Sequence, residues 1–195
     1  HAVHELIKRA IRKHKKVIFN GNGYSEEWVK EAEKRGLYNL ASTPECLPQF
    51  IADKNVELFT KHHIFTKGEI YSRYEILLEN YVKTIGIEAR TMEEMLTKDF
   101  LPAVSEYAAE VSANAATKKE FLPSLSTASE EALVTKLSDA YTTLTDGVAE
   151  LKVLAEKAGA MEDAQAAADA SHSEVLAKME ELRATASDVE ALIPD

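Results

Sequence analysis

Glu75 and Glu79 stand one helical turn apart, with Arg73 just before them and Tyr71, Tyr74, Asn80 and Tyr81 interleaved. Paired carboxylates can act as general acid and base, but they must then face each other across a substrate, which one helix face does not guarantee. Their expected use is instead in buried hydrogen bonds with Arg73 and neighbouring helices. Asn20-Gly21-Asn22-Gly23-Tyr24 is a second candidate, because glycines can let a backbone close on a phosphate. The run lacks the third glycine of a dinucleotide fingerprint and the Gly-Lys-Ser/Thr of a Walker loop, so it reads as a tight structural loop. Cys46 is the only cysteine; between Leu and Pro neighbours at a helix start it is expected to be a buried or idle thiol. His62 and His63 are adjacent and project to different sides of a helix, while His1 and His4 have ligand spacing but no third partner. No metal site is expected at either place.

These residues need elements to hold them, and the element that organises the chain runs from Thr66 to about Thr117. Thr66 and Glu69 have the spacing of a capping box. Apolar or small residues then recur at 74, 78, 81, 85, 89, 92, 96, 100, 103, 107 and 111, in steps of three and four averaging 3.7 residues. That period keeps one side of a straight α-helix apolar for many turns. Gly86 lies inside the pattern, where it costs about 1 kcal/mol relative to Ala, so close packing is expected to exclude a side chain there. Pro102 removes an amide and crowds the carbonyl four residues back, which predicts a kink or break near Lys98–Leu101.

The flanking segments are helical as well. His1 to Lys16 carries Val3, Leu6, Ile7, Ala10 and Ile11 on one face and six Lys or Arg on the other. Without interleaved aromatic residues that basic face is expected to be solvated rather than a nucleic-acid platform. Ser25 is placed to cap a helix that Gly36 ends, Thr43-Pro44-Glu45 starts another, and Asp53 is expected to cap a third. After a loop at Lys118–Ser126, Thr127 and Glu130 repeat the capping-box spacing ahead of a helix to about Ala158. A final helix from about Met161 to Leu192 alternates four- and three-residue steps through 161, 165, 168, 172, 175, 179, 182, 186, 189 and 193, a heptad pattern implying a supercoiled pair with its predecessor. His172 on that seam reads as a packing residue, not a ligand.

The fold class is therefore all-α: a helical bundle built on a long central helix, with a C-terminal antiparallel coiled-coil-like hairpin. Two parts are expected, residues 1–117 and 118–195. Over 195 residues the chain is 45% hydrophobic and 29% charged, and its net charge of −10 opposes general nucleic-acid binding. No apolar run reaches the length of a membrane span and no signal peptide is present, which fits a reducing cytoplasm. The chain starts at His1 already inside a helical pattern, so a fragment of a longer polypeptide is expected.

Several stretches together resemble one family. Asn20-Gly21-Asn22-Gly23-Tyr24-Ser25-Glu26-Glu27-Trp28, Glu31–Leu37, Ser42–Glu45, Phe65-Thr66, Ser72–Glu75, Leu78–Ile85, Glu88-Ala89, Thr91-Met92 and Leu101–Val104 are similar, in order, to the C-terminal region of type III glutamine synthetases. From Lys118 onward the similarity is one of pattern only. The resemblance implies a parent enzyme that joins ammonia to glutamate with ATP and Mg or Mn, and assembles as a dodecamer. It implies that the catalytic, metal-binding and nucleotide-binding residues lie in an upstream catalytic domain of the same polypeptide, so no catalytic, cofactor-binding or metal role is assigned here. The residues singled out as an interface or site edge are Arg73, Tyr74, Glu75, Glu79, Asn80, Asn22 and Tyr24. The fragment alone is expected to be inactive; the alternative is a free-standing coiled-coil interaction module.

Overall fold

The computed structural model of the chain describes residues 1–194. Its helices are α1 (Ala2–His14), α2 (Glu26–Lys34), α3 (Thr43–Phe50), α4 (Asp53–Lys61), α5 (Lys67–Met95), α6 (Leu101–Phe121), α7 (Ala128–Gly159), α8 (Ala164–Ala170) and α9 (Leu176–Glu190). Leu96–Phe100 joins α5 to α6 as a turn of π-helix, and Ser171–Val175 joins α8 to α9 in the same way. Counted as continuous rods these are seven helices, one of them 55 residues long and so about 80 Å, with no strand among the described residues. None of the described helices is long and apolar enough to cross a membrane.

The chain divides into two units, His1–Cys46 and Leu47–Asp195, with the division inside α3. In the first unit, Ser25 caps α2 by accepting from the Trp28 amide at 3.3 Å. Gly36 ends it at φ 69°, a left-handed geometry that suits glycine, and the Leu37 amide bonds the Ala32 carbonyl at 2.9 Å. Arg35 clips the segment before α2: it pairs with Glu31 at 2.7 Å, donates to the Ile18 carbonyl at 2.9 Å and lies over the Trp28 ring. Trp28 in turn stacks on Phe19 with ring centroids 4.1 Å apart. Of the expected buried or idle thiol, burial does not hold: Cys46 is exposed, and the buried residues of α3 are Pro44 and Leu47.

In the second unit, the Thr66–Glu69 box forms as the spacing predicts. The Thr66 hydroxyl accepts from the Glu69 amide at 3.3 Å and the Glu69 carboxylate accepts from the Thr66 amide at 2.7 Å. The bond from the Thr66 backbone, aided by the hydroxyl, lowers the Glu69 pKa from the ordinary carboxylate value. A depressed carboxylate pKa stabilises the fold fully above the unfolded value and loses that contribution as pH falls through the folded one. Glu69→Gln is therefore expected to flatten the acid limb of a circular-dichroism pH titration, leaving stability at neutral pH less dependent on further acidification. An acid limb identical to that of the wild type would show that the box contributes no charge-dependent stability.

The second box does not form. Thr127 sits at φ −115°, ψ 15°, outside the extended region an N-cap side chain needs, and makes no cap bond. Its hydroxyl donates to Glu131 instead, at 2.5 Å, and Glu130 is held by an ion pair with Lys118.

Three rods build the core. The long helix α5–α6 runs one way, α7 returns antiparallel, and α8–α9 runs parallel to α5. The pairs Tyr74–Gln165 and Tyr81–His172 advance together along both helices, whereas Lys157–Glu174 and Lys178–Glu150 run in opposition. The main core joins Ile85, Ala89, Leu96 and Leu101 to Leu144 and Leu151 of α7 and to Val175 and Leu182 of the last rod. Val104, Leu137 and Val189 continue it toward one end, and Leu47, Leu78 and Ala168 toward the other. The last rod thus packs on the long helix as well as on α7, which the heptad pattern alone did not say.

Pro102 disturbs the long helix where expected but does not break it. The Leu101 amide bonds the Leu96 carbonyl, five residues back, and the widened turn makes room for the proline ring one residue on. In the last rod the buried Ser171 hydroxyl donates to the Ala167 carbonyl at 2.8 Å, a competing bond that accompanies the second π turn. Gly86 departs from expectation. A Cβ built there meets nothing within 4 Å, so no neighbour within the chain requires glycine at that position. The glycine that packing does require is Gly147 of α7, whose Cβ would stand 2.5 Å from a methyl of Leu182.

Candidate interface face on the long helix

The first turns of α5 present the polar–aromatic residues on several sides, because successive residues of a helix are about 100° apart. Tyr74 and Tyr81 belong to the inward stripe; Tyr71, Arg73, Glu75, Glu79 and Asn80 are exposed.

Arg73 places its guanidinium over the Phe65 ring, 4.7 Å from the centroid, and Lys67 lies over Tyr71 at 5.7 Å. Phe65 meets Phe59 edge-on at 5.8 Å, and Phe59 meets Phe50 at 5.6 Å, so Arg73 crowns a row of three phenylalanines. Glu79 pairs with Lys83 one turn on, at 3.1 Å. The expected buried network of Glu75, Glu79 and Arg73 is therefore not what the residues make. Their positions face outward, where water solvates the carboxylates, and Arg73 is drawn to an aromatic face instead.

The buried side of the same stretch does make long-range bonds. Tyr74 donates to Gln165 Oε1 at 2.7 Å and the Tyr81 hydroxyl meets His172 Nδ1 at 3.2 Å. Partial burial raises the Tyr74 pKa, helped by the negative charges of Asp163, Asp169 and Glu75; burial and then Glu88 raise that of Tyr81. Both phenols keep their protons; Tyr74 donates to Gln165, while the direction of the Tyr81–His172 bond follows the His172 tautomer. The bonds tie the long helix to the last rod at two points seven residues apart on each. Gln165 and His172 occupy heptad positions in the sequence, and Tyr74 and Tyr81 stand on the apolar stripe. The shared spacing was the available signal for this pairing. His172 is thereby a satisfied seam residue.

Asn22 and Tyr24 lie in the other unit. The Asn22 side chain accepts from the Tyr24 amide at 3.0 Å, and its carbonyl accepts from the Ser25 hydroxyl at 2.9 Å. This locked turn leaves Tyr24 fully exposed. A Cβ at Gly21 would stand 2.6 Å from the Phe19 ring, so glycine there lets that ring keep its stack on Trp28. The five-residue loop is thus a structural turn carrying one projecting aromatic.

No group of three or more His, Cys, Asp or Glu that could hold a metal ion occurs among the described residues. The donor set of these residues does not fit a divalent metal. What the geometry does offer is surface. The helix α1 buries none of its residues, so Val3, Leu6, Ile7 and Ile11 form an exposed apolar stripe beside its basic face.

Comparison with known proteins places these features in a family. Residues 2–119 match the family described as glutamine synthetase C-terminal domain. A glutamine synthetase of Butyrivibrio fibrisolvens is 45% identical over 193 residues, which is 99% of this chain and 28% of that protein. A type-3 glutamine synthetase of Dictyostelium discoideum is 43% identical over 102 residues, 52% of this chain and 14% of that protein. A glutamine synthetase of Bacteroides fragilis (strain YCH46) is 31% identical over 106 residues, 54% of this chain and 14% of that protein. The chain therefore spans less than a third of the length of each of these relatives.

Proposed function

The chain belongs to the glutamine synthetase C-terminal domain family, and from that premise we propose that it is a structural and assembly region of a type III glutamine synthetase. The parent enzyme joins ammonia to glutamate with ATP and a divalent metal, in the cytoplasm, and its catalytic residues lie in a catalytic domain of the same polypeptide. Residues 1–117 form the family-like part and 118–195 a helical hairpin that buttresses it; the family match over residues 2–119 supports that division. Homo-oligomeric assembly of the parent, as a dodecamer, belongs to the same reading.

The observation that carries the proposal is the uncovered stripe of α1. Four large aliphatic residues at helical spacing, each about half or more exposed, make a face that a free-standing domain would normally bury. A helix of this kind gains most by packing against more protein. Tyr24 of the first unit, with Asn22 shaping its turn, and the exposed Arg73, Glu75, Glu79 and Asn80 of the second unit, with Tyr74 tied to Gln165 on the buried side of the same helix, are proposed as further docking residues, each within its own unit. The locked Asn22–Ser25 turn and the aromatic row under Arg73 favour that role, since both hold surface side chains in place at low entropic cost on binding.

Two measurements test the reading. The purified chain, given glutamate, ammonia, ATP and Mg²⁺, is expected to form no glutamine above the buffer background; turnover would overturn it. In a full-length synthetase containing this region, Arg73→Ala with Glu79→Ala is expected to weaken assembly and activity together. Loss of activity in a fully assembled oligomer would instead place these residues at the catalytic site.

A further inference from the structure

The loop between α1 and α2 holds two Asn-Gly pairs, Asn20-Gly21 and Asn22-Gly23, and no other asparagine of the chain is followed by glycine. Such a pair has a chemistry of its own. The backbone nitrogen of the following residue can attack the side-chain carbonyl carbon of the asparagine. Glycine leaves that nitrogen uncrowded and lets the backbone turn onto it. All four residues are exposed, so water reaches both pairs.

The fold treats the two pairs differently. Asn22 Oδ1 accepts from the Tyr24 amide at 3.0 Å, and the Asn22 carbonyl accepts from the Ser25 amide at 3.2 Å and the Ser25 hydroxyl at 2.9 Å. Side chain and backbone of Asn22 are thus tied to the start of α2, and attack by the Gly23 nitrogen has to break those ties first. Asn20 has none: its side chain, its carbonyl and the Gly21 amide make no hydrogen bond among the described residues. Packing also holds glycine at the next position, because a Cβ at Gly21 would meet the Phe19 ring that stacks on Trp28. The reactive neighbour is therefore kept beside the unrestrained asparagine.

We propose that Asn20 is a site of spontaneous deamidation, with water as the co-reactant, and that Asn22 is protected by its turn. The Gly21 nitrogen bonds to Cγ of Asn20, its proton passes through solvent to the departing side-chain nitrogen, and the Cγ–Nδ2 bond breaks to release ammonia. Water then opens the cyclic imide at either carbonyl. One opening leaves aspartate; the other leaves isoaspartate, in which the main chain runs through Cβ and Cγ. Both products add a negative charge, and isoaspartate lengthens the main chain next to Phe19. Arg35 anchors the Ile18 carbonyl at 2.9 Å, so the added length falls on Phe19 and the loop, and loosens the stack on Trp28. The inference rests on this loop alone and does not require the synthetase reading.

Ageing the purified 195-residue chain in mildly alkaline buffer tests it, with peptide mapping by a mass-spectrometric method that separates aspartate from isoaspartate. Alkali speeds the reaction because the attacking nitrogen must lose its proton. In the folded chain, product is expected at Asn20 several-fold ahead of Asn22. In guanidinium chloride, where the turn is gone, the two positions are expected to react at similar rates. Trp28 is the only tryptophan, so its fluorescence is expected to drift as Asn20 is lost. Asn20→Gln, whose longer side chain closes the ring far more slowly, is expected to stop that drift. An Asn20 that stays intact in the folded chain overturns the proposal, as does loss at Asn22 equal to or ahead of it. A lead of Asn20 that persists unchanged in guanidinium chloride overturns the protection ascribed to the turn.

Discussion

Leu144→Ala is expected to lower the stability of the second unit by ~2–5 kcal/mol. Leu144 is fully buried at the middle of α7, in the cluster that joins all three rods. Truncation removes the transfer free energy of the lost carbons and leaves a cavity that three packed helices can close only in part. For a chain of this size each kcal/mol moves the thermal midpoint by about 2–4 °C, so a drop of roughly 4–20 °C is expected in a circular-dichroism melt. The exposed Val153→Ala, on the same helix, is the control, with an effect within about 0.5 kcal/mol. Equal effects of the two substitutions would mean that α7 does not organise the core.

Gly147→Leu is expected to be comparably damaging for the opposite reason. The Cβ alone would stand 2.5 Å from the Leu182 methyl, and Leu182 is 1% exposed, so it cannot swing into water to give way. Overpacking of this kind typically costs ~1–3 kcal/mol, and a full leucine side chain lies at or above the upper end. Gly147→Ala is the milder case: the gain of about 1 kcal/mol in helix propensity opposes the clash. Leu182→Ala alone costs about as much as Leu144→Ala, because it opens a cavity. Combined with Gly147→Leu it moves the bulk from one side of the seam to the other. The double variant is therefore expected to be more stable than the sum of the two single effects by at least ~1 kcal/mol in urea unfolding. Strict additivity would show that the two positions do not share one space.

The two glycines show how far the sequence carries. Gly86 and Gly147 each sit inside a long amphipathic helix, and helix propensity treats them alike. Whether a glycine is closed over by a neighbour depends on which segment crosses it, and Leu182 lies 35 positions from Gly147. Pro102 is an intermediate case. Its missing amide and ring are local facts, so the site of the disturbance was legible. The outcome, a π turn rather than a break, depended on the cluster of Leu96, Leu101 and their partners holding both halves in one rod. The capping boxes divide likewise. Thr66 and Glu69 needed only each other, whereas Glu130 was drawn away by Lys118 from the preceding helix.

By itself, then, the sequence determined the helices, their main stops and caps, the inward stripe of the long helix and the motifs of the glutamine synthetase C-terminal domain. Those follow from period, from residue type and from bonds spanning a few residues. Only the tertiary structure decided that Tyr74 and Tyr81 bond Gln165 and His172, that Arg73 lies on Phe65 while Glu79 turns to Lys83, and that Leu182 closes over Gly147 while nothing closes over Gly86. Those outcomes depend on which side chains from distant segments come within about 3–4 Å of one another, a distance that no local pattern encodes.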